Sequence, residues 1–329
     1  MRQQIRPTGP GQAPVSHRLR VRAAEPADAA AVYELVVRAF RARPALDPPA
    51  AALSETPESI ASEISDRGGL VAVAGDQLVG ALLFGVGPGL RLTRVSVDPG
   101  RRRQRIAARL VRAAEAVAAE RGADAVSLVA RRELSSNGAF WRSLGYGEVD
   151  PYRFPVVDRV PWNLLLARAA PFVVSVDSAP AMQGFGRRLG AMLRAGDVVI
   201  LTGGLGAGKT TLTQGIGDAL HVRGPVTSPT FIVAREHPSL EGGPALVHVD
   251  GYRLAGALEL DDLDLDATVS RAVTVVEWGK GIAEALAPAR VGIDITGDEV
   301  RTVRVDPVGG RWAFSGLQAG LNPVARPAF

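Results

Sequence analysis

The chain contains no cysteine, which excludes disulfides and thiolate-bound metals. It has only four histidines, so no zinc-type cluster is expected. Lysine is nearly missing: of 38 basic residues, only Lys209 and Lys280 are not arginine. Long apolar runs are missing as well. The stretch from Leu70 to Leu90 is broken by Asp76, Gln77 and several glycines, and no membrane span is expected. Met1 to Pro14 lacks an apolar signal segment, so the expected location is cytoplasmic.

What is present describes a globular protein. The length suffices for two domains, and a 47% hydrophobic fraction fills their cores. The charge is uneven. Residues 1–160 hold 23 basic and 17 acidic groups, whereas residues 161–329 hold 15 and 17. The front-half excess centres on Arg101-Arg102-Arg103-Gln104-Arg105. Such a run suits nucleic acid, the phosphates of a cofactor, or a solvated helix start, and charge alone does not choose among them.

The back half carries Gly203-Gly204-Leu205-Gly206-Ala207-Gly208-Lys209-Thr210, a full G-x-x-x-x-G-K-T pattern. An apolar strand pattern from Asp197 to Thr202 precedes it, and a helix is predicted over 210–220. That is the strand–loop–helix of a phosphate-binding P-loop. Glycines let backbone N–H groups surround a phosphate, and the helix N-terminus adds favourable charge. Lys209 supplies a point charge, and the Thr210 hydroxyl is a magnesium ligand in such loops. A lysine here is telling in a chain that uses arginine almost everywhere else. A carboxylate must complete the metal site. Asp250 and Glu277 each end an apolar strand pattern, which delivers both to the edge where ligands bind in open α/β sheets. No Asn-Lys-x-Asp guanine-reading motif occurs, which disfavours a GTPase.

Four motifs in order, Gly204 to Thr211, Thr227-Ser-Pro-Thr-Phe231, His248-Val-Asp-Gly-Tyr-Arg-Leu254 and Glu277-Trp278, resemble the TsaE (YjeE-like) ATPases over about residues 172–306. The resemblance implies an ATPase that works with the TsaD–TsaB complex in forming threonylcarbamoyladenosine in tRNA, and that reaches tRNA indirectly through that complex. It implies ATP and magnesium as cofactors. Lys209, Thr210 and Thr211 would lie on the phosphates, with Thr210 also on the metal. Asp250 would be the Walker-B-like acid and Glu277 a magnesium-binding or water-positioning carboxylate. Trp278 would neighbour the nucleotide, and Thr230 would ride a switch-like loop near the γ-phosphate.

In the front half, Val95-Ser-Val-Asp-Pro99 followed by Arg102 to Ala107 resembles the acetyl-CoA motif of the GNAT acetyltransferases. Asn137, Phe140 and Leu144-Gly145-Tyr146 resemble that family's closing motif. The resemblance implies acetyl-CoA held by Val95, Val97, Arg102, Arg103, Gln104, Ile106, Ala107 and Asn137, and leaves the acetyl acceptor unnamed. Two positions depart from the pattern: Arg105 stands where glycine is usual, and Trp141 where many members carry a general-acid tyrosine.

The expected architecture is α/β with two domains: a GNAT-like mixed α/β sheet domain, then a P-loop NTPase α/β domain. The expected borders are a disordered tail over 1–17, the first domain over 18–160, a linker over 161–171, the second domain over 172–310 and a tail over 311–329. Strands are predicted near 18–22, 70–74, 78–86, 91–97, 125–130, 172–176, 197–202, 230–235, 245–250, 272–277, 291–295 and 300–305. Helices are predicted over 26–41, 106–121, 139–143, 179–194 and 210–220. Two other functions remain open: acetylation as the main activity with a regulatory ATP-binding domain, or an ATP-sensing docking module without turnover.

Overall fold

The computed structural model describes residues 19–154, 160–229, 233–254, 256–261 and 265–322. The front half runs β1 (Leu19–Ala23), α1 (Ala29–Arg41), α2 (Pro57–Arg67), β2 (Gly69–Ala74), β3 (Gln77–Gly85), β4 (Leu90–Val97), α3 (Ile106–Glu120), β5 (Ala125–Arg131), α4 (Ser135–Ser143), β6 (Gly147–Glu148) and β7 (Asn163–Ala169). The back half runs β8 (Phe172–Val176), α5 (Ala179–Gly190), β9 (Val198–Gly203), α6 (Lys209–Ala219), β10 (Ala234–His237), β11 (Ala245–Asp250), α7 (Ala257–Asp261), α8 (Asp266–Val269), β12 (Ala272–Glu277), β13 (Arg290–Thr296), β14 (Arg301–Val308) and α9 (Leu317–Leu321). These strands form two seven-stranded sheets. No helix among the described residues is long and apolar enough to cross a membrane.

The first sheet has the order β1-β2-β3-β4-β5-β7-β6. Local chemistry starts its helices. Pro57 opens α2, and Thr56 and Ser59 cap each other's backbone N–H groups. Val32, Leu35, Val36, Ile60 and Ile64 then bury one face of α1 and α2 against β2 and β3. β4 and β5 run parallel but pair only over Leu90–Leu92 with Val126–Leu128. β5 instead pairs along its whole length with β7, antiparallel.

The second sheet has the order β10-β11-β12-β9-β13-β14-β8. Its four central strands, β11, β12, β9 and β13, are parallel. β9, β11 and β12 are near-continuous apolar runs, as strands covered on both faces require, whereas β13 buries Val291, Ile293 and Ile295 in alternation. α5, α6 and α9 pack on one face around Phe185, Leu189, Leu212 and Trp312. Leu260, Leu265, Val269 and Ala283 cover the other.

By compactness the chain divides into two units. One takes the chain up to Phe84 together with Arg94–Ala113. The other takes Gly85–Thr93 together with the chain from Ala114 onward. The boundary therefore does not follow the expected domain borders. Two expectations are corrected. Most of the expected linker, 161–171, is strand β7, because Leu165, Leu166 and Ala167 are buried in the first sheet. The expected tail from 311 onward holds Trp312, Leu317 and Leu321, all buried, and ends in α9. Residues 1–17 lie outside the described residues.

Candidate functional sites

The glycine-rich loop joins β9 to α6 as expected. Gly206 (φ +75°) and Gly208 (φ +105°) adopt backbone angles that side chains disfavour, and Gly208 is the N-cap of α6. Leu205 at the loop tip is 98% exposed. Lys209 folds back over the loop, its Nζ donating to the carbonyls of Gly203 (2.9 Å) and Gly204 (3.0 Å). The same Nζ lies 3.9 Å from the centre of the Trp278 ring. Burial lowers the Lys209 pKa, against the opposing pull of Glu277 and Asp250.

Parallel register sets the two acids side by side, Asp250 opposite Glu277. Glu277 ends β12, the strand next to β9, and its Oε1 accepts from the Thr210 hydroxyl at 2.8 Å. The same oxygen lies 2.9 Å from His248 Nε2, and the pairing assigns the ring proton to Nε2. His248 is fully buried, and among the described residues its Nδ1 has no partner. Asp250 is bound elsewhere: it accepts from the Ser228 hydroxyl (2.9 Å) and the Tyr252 N–H (3.1 Å). Thr211 follows on the first turn of α6. Thr230 lies outside the described residues.

Sequence reasoning assigned no role to His248 or Arg301. His248 carried a signal, because period two puts it on the same face of β11 as Asp250. Arg301 begins β14 and donates to the carbonyls of Ala207 (3.3 Å) and Gly206 (3.4 Å). Nothing local sets it apart from the other arginines.

The expected acetyl-CoA residues fall on a strand–loop–helix in the first unit. Val95 and Val97 lie on β4 beyond the point where it leaves β5. Arg102, Arg103 and Gln104 form the connecting loop, with Arg103 at φ +64°, and Ile106 and Ala107 open α3. Asn137 lies on α4, in the other unit. Trp141 is buried edge-on between Phe140 and Tyr146 and offers no hydroxyl. The Tyr146 hydroxyl is buried too and donates to Glu115 at 3.3 Å.

A sheet with a parallel centre, whose strand–loop–helix carries a glycine-rich loop and a buried lysine, is the build of a P-loop protein. The family model described as threonylcarbamoyl adenosine biosynthesis protein TsaE matches residues 176–304, and that of the acetyltransferase (GNAT) family matches residues 29–146. The tRNA threonylcarbamoyladenosine biosynthesis protein TsaE of Streptomyces coelicolor is 58% identical over 139 residues, covering 40% of this chain and 94% of that protein. Among solved structures, Bacillus subtilis YdiB superposes with a TM-score of 0.38 at 28% identity, covering 47% of this chain and 97% of that one. A PaiA N-acetyltransferase from Thermoplasma acidophilum, in complex with coenzyme A, gives 0.40 at 17% identity, covering 46% and 99%. The chain belongs to the TsaE family, with a GNAT acetyltransferase segment fused ahead of the TsaE segment.

Proposed function

We propose that the back half is the ATPase that acts with TsaD–TsaB in making threonylcarbamoyladenosine in tRNA, and that the front half binds acetyl-CoA as an N-acetyltransferase. The observation that carries the first reading is the chain His248–Glu277–Thr210 beside Lys209. It supports a site for ATP with magnesium. The donor set is oxygen only, a hydroxyl and two buried carboxylates, which suits a hard cation. Among the described residues no three His, Asp or Glu side chains group as a metal cage. Magnesium needs none, because nucleotide phosphates and water supply most of its ligands.

Magnesium bound with ATP neutralises charge on the phosphates. The protein's own groups do the positioning. The loop amides and Lys209 hold the phosphates, and Thr210 offers its hydroxyl oxygen to the metal. Glu277, fixed by His248, accepts the Thr210 proton and so aims that oxygen's lone pairs. Asp250 anchors Ser228, two residues before Thr230, and so ties the loop after Val226 to the nucleotide edge. Phosphoryl transfer asks for this positioning more than for covalent chemistry.

In the full-length protein with TsaD–TsaB, Lys209→Ala and Glu277→Ala should each lower ATP turnover by about 100-fold or more. Threonylcarbamoyladenosine in tRNA should fall with it. Hydrolysis at the wild-type rate in Lys209→Ala would sink the ATPase reading. ATP binding without turnover in the wild type would leave an ATP-sensing module. For the front half, Trp141 supplies no proton, so transfer requires a donor at another position. Release of free CoA on addition of amine acceptors separates transfer from binding alone.

A further inference from the structure

We infer that Arg301 is a positioning residue of the nucleotide site, an outside brace that keeps the P-loop peptides in their phosphate-binding orientation. The inference rests on nucleotide binding by this loop, as proposed above. β13 runs parallel to β9 and ends at the same edge as the P-loop. The chain then reverses through Gly297 (φ +89°), where a Cβ would meet the Val300 carbonyl at 2.4 Å. That tight turn starts β14 at the nucleotide edge, so Arg301 emerges beside the loop rather than at the far end of the sheet.

The guanidinium takes two carbonyls, Ala207 O through Nε and Gly206 O through Nη2. A planar trans peptide points its C=O and N–H in opposite directions. Holding the oxygens of the 206–207 and 207–208 peptides outward therefore keeps the amides of Ala207 and Gly208 turned inward. The Ala207 amide closes a turn on Gly204 O at 3.2 Å. The Gly208 amide stands at the mouth of α6, where a phosphate is received. Both peptides are flanked by a glycine with positive φ, and a glycine-flanked peptide rotates at low cost. A cation on the oxygen side also polarises each peptide and strengthens its N–H as a donor.

A brace acts on ground-state binding and leaves the chemical step alone, so its loss raises KM and spares kcat. The test uses the full-length chain with magnesium and either ATP or ADP, measured by calorimetry. Arg301→Ala should weaken both nucleotides by about tenfold, with little change in kcat at saturating ATP. Arg301→Lys should recover only part of the affinity, because one ammonium lacks the fork that spans two carbonyls. Hydrogen exchange in the peptide spanning 203–210 of the ligand-free protein should quicken in Arg301→Ala. Arg304→Ala, an exposed position on the same strand, should leave all three readouts unchanged. Wild-type affinity in Arg301→Ala overturns the brace alone, as does a fall in kcat with KM unchanged. A wild-type chain that binds neither nucleotide overturns the proposed site and the brace with it.

Discussion

Arg105 holds φ at +58°, in the left-handed region, at the residue before α3 begins. A non-glycine residue there carries about 1 to 2 kcal/mol of strain, and glycine carries none. The Arg105 carbonyl already accepts from Arg109 as the helix starts, so the backbone has the shape that the usual glycine would give it. Arg105 is exposed, whereas the next residue, Ile106, is buried. Arg105→Gly should therefore keep acetyl-CoA affinity or raise it slightly, because the loop amides stay in place and the strain goes. Calorimetry on the full-length chain checks this. Binding weakened tenfold or more would show instead that the guanidinium is itself a phosphate ligand. The same scale decides what was legible. Lys209 stood out because the chain spends almost no lysine elsewhere. His248 did not, because a histidine on an apolar strand looks the same whether it fills a core or orients a carboxylate. The distinction is the 2.9 Å contact with Glu277, made across 29 residues of chain.

At the scale of elements, the glycines of α5 and α6 reverse their apparent meaning. As sequence, Gly215 and Gly217 are weak points, each costing about 1 kcal/mol relative to alanine in a helix interior. In the fold, a Cβ at Gly215 would sit 2.1 Å from Gln183 O, and one at Gly186 would sit 2.2 Å from Leu212 O. The two helices pack backbone to backbone, and only glycine admits that approach. Gly215→Ala should destabilise by about 1 to 3 kcal/mol, the overpacking cost outweighing the gain in propensity. Gly184→Ala, on α5 with no neighbour nearer than 3.6 Å, should instead gain up to about 1 kcal/mol. Urea unfolding of the two variants measures both signs, and a stabilised Gly215→Ala would refute the close packing. β9, β11 and β12 were legible because burial on both faces writes a near-continuous apolar run, and β13 because its apolar residues alternate. β7 was not, since what makes it a strand is its pairing with β5 some forty residues earlier. α2 carried its start signals, Thr56 and Pro57, but only Ile60 and Ile64 mark its buried face.

At the scale of the whole molecule, the family borders are not the borders of packing. Arg168, on the strand expected as a linker, donates to Leu144 O (2.8 Å), Glu115 (3.3 Å), Pro307 O (3.2 Å) and Asp306. It thus joins the GNAT-matched segment to β14 inside one compact unit. No local pattern reports such a cluster, because its members come from four elements spread over almost 200 residues. Tyr146 completes it and makes it testable by pH. Burial, then the neighbouring Glu115 carboxylate, raise the Tyr146 pKa well above its ordinary value. An unfolded tyrosine ionises near pH 10. The folded state therefore holds this proton more tightly than the unfolded chain does. Its contribution to stability is intact below about pH 10 and is lost as pH rises above it, at up to about 1.4 kcal/mol per pH unit. Tyr146→Phe removes that dependence and leaves Arg168 paired with Glu115. At pH 8 the variant should be about 1 kcal/mol less stable, the worth of one hydrogen bond. Between pH 10 and 11 the wild type should lose stability faster than the variant, so the gap between them narrows or inverts. Urea unfolding followed by tryptophan fluorescence reads it, since Trp141 lies 5.2 Å from the Tyr146 ring. Equal losses in the two proteins across that interval would mean that the hydroxyl is not held protonated by this cluster.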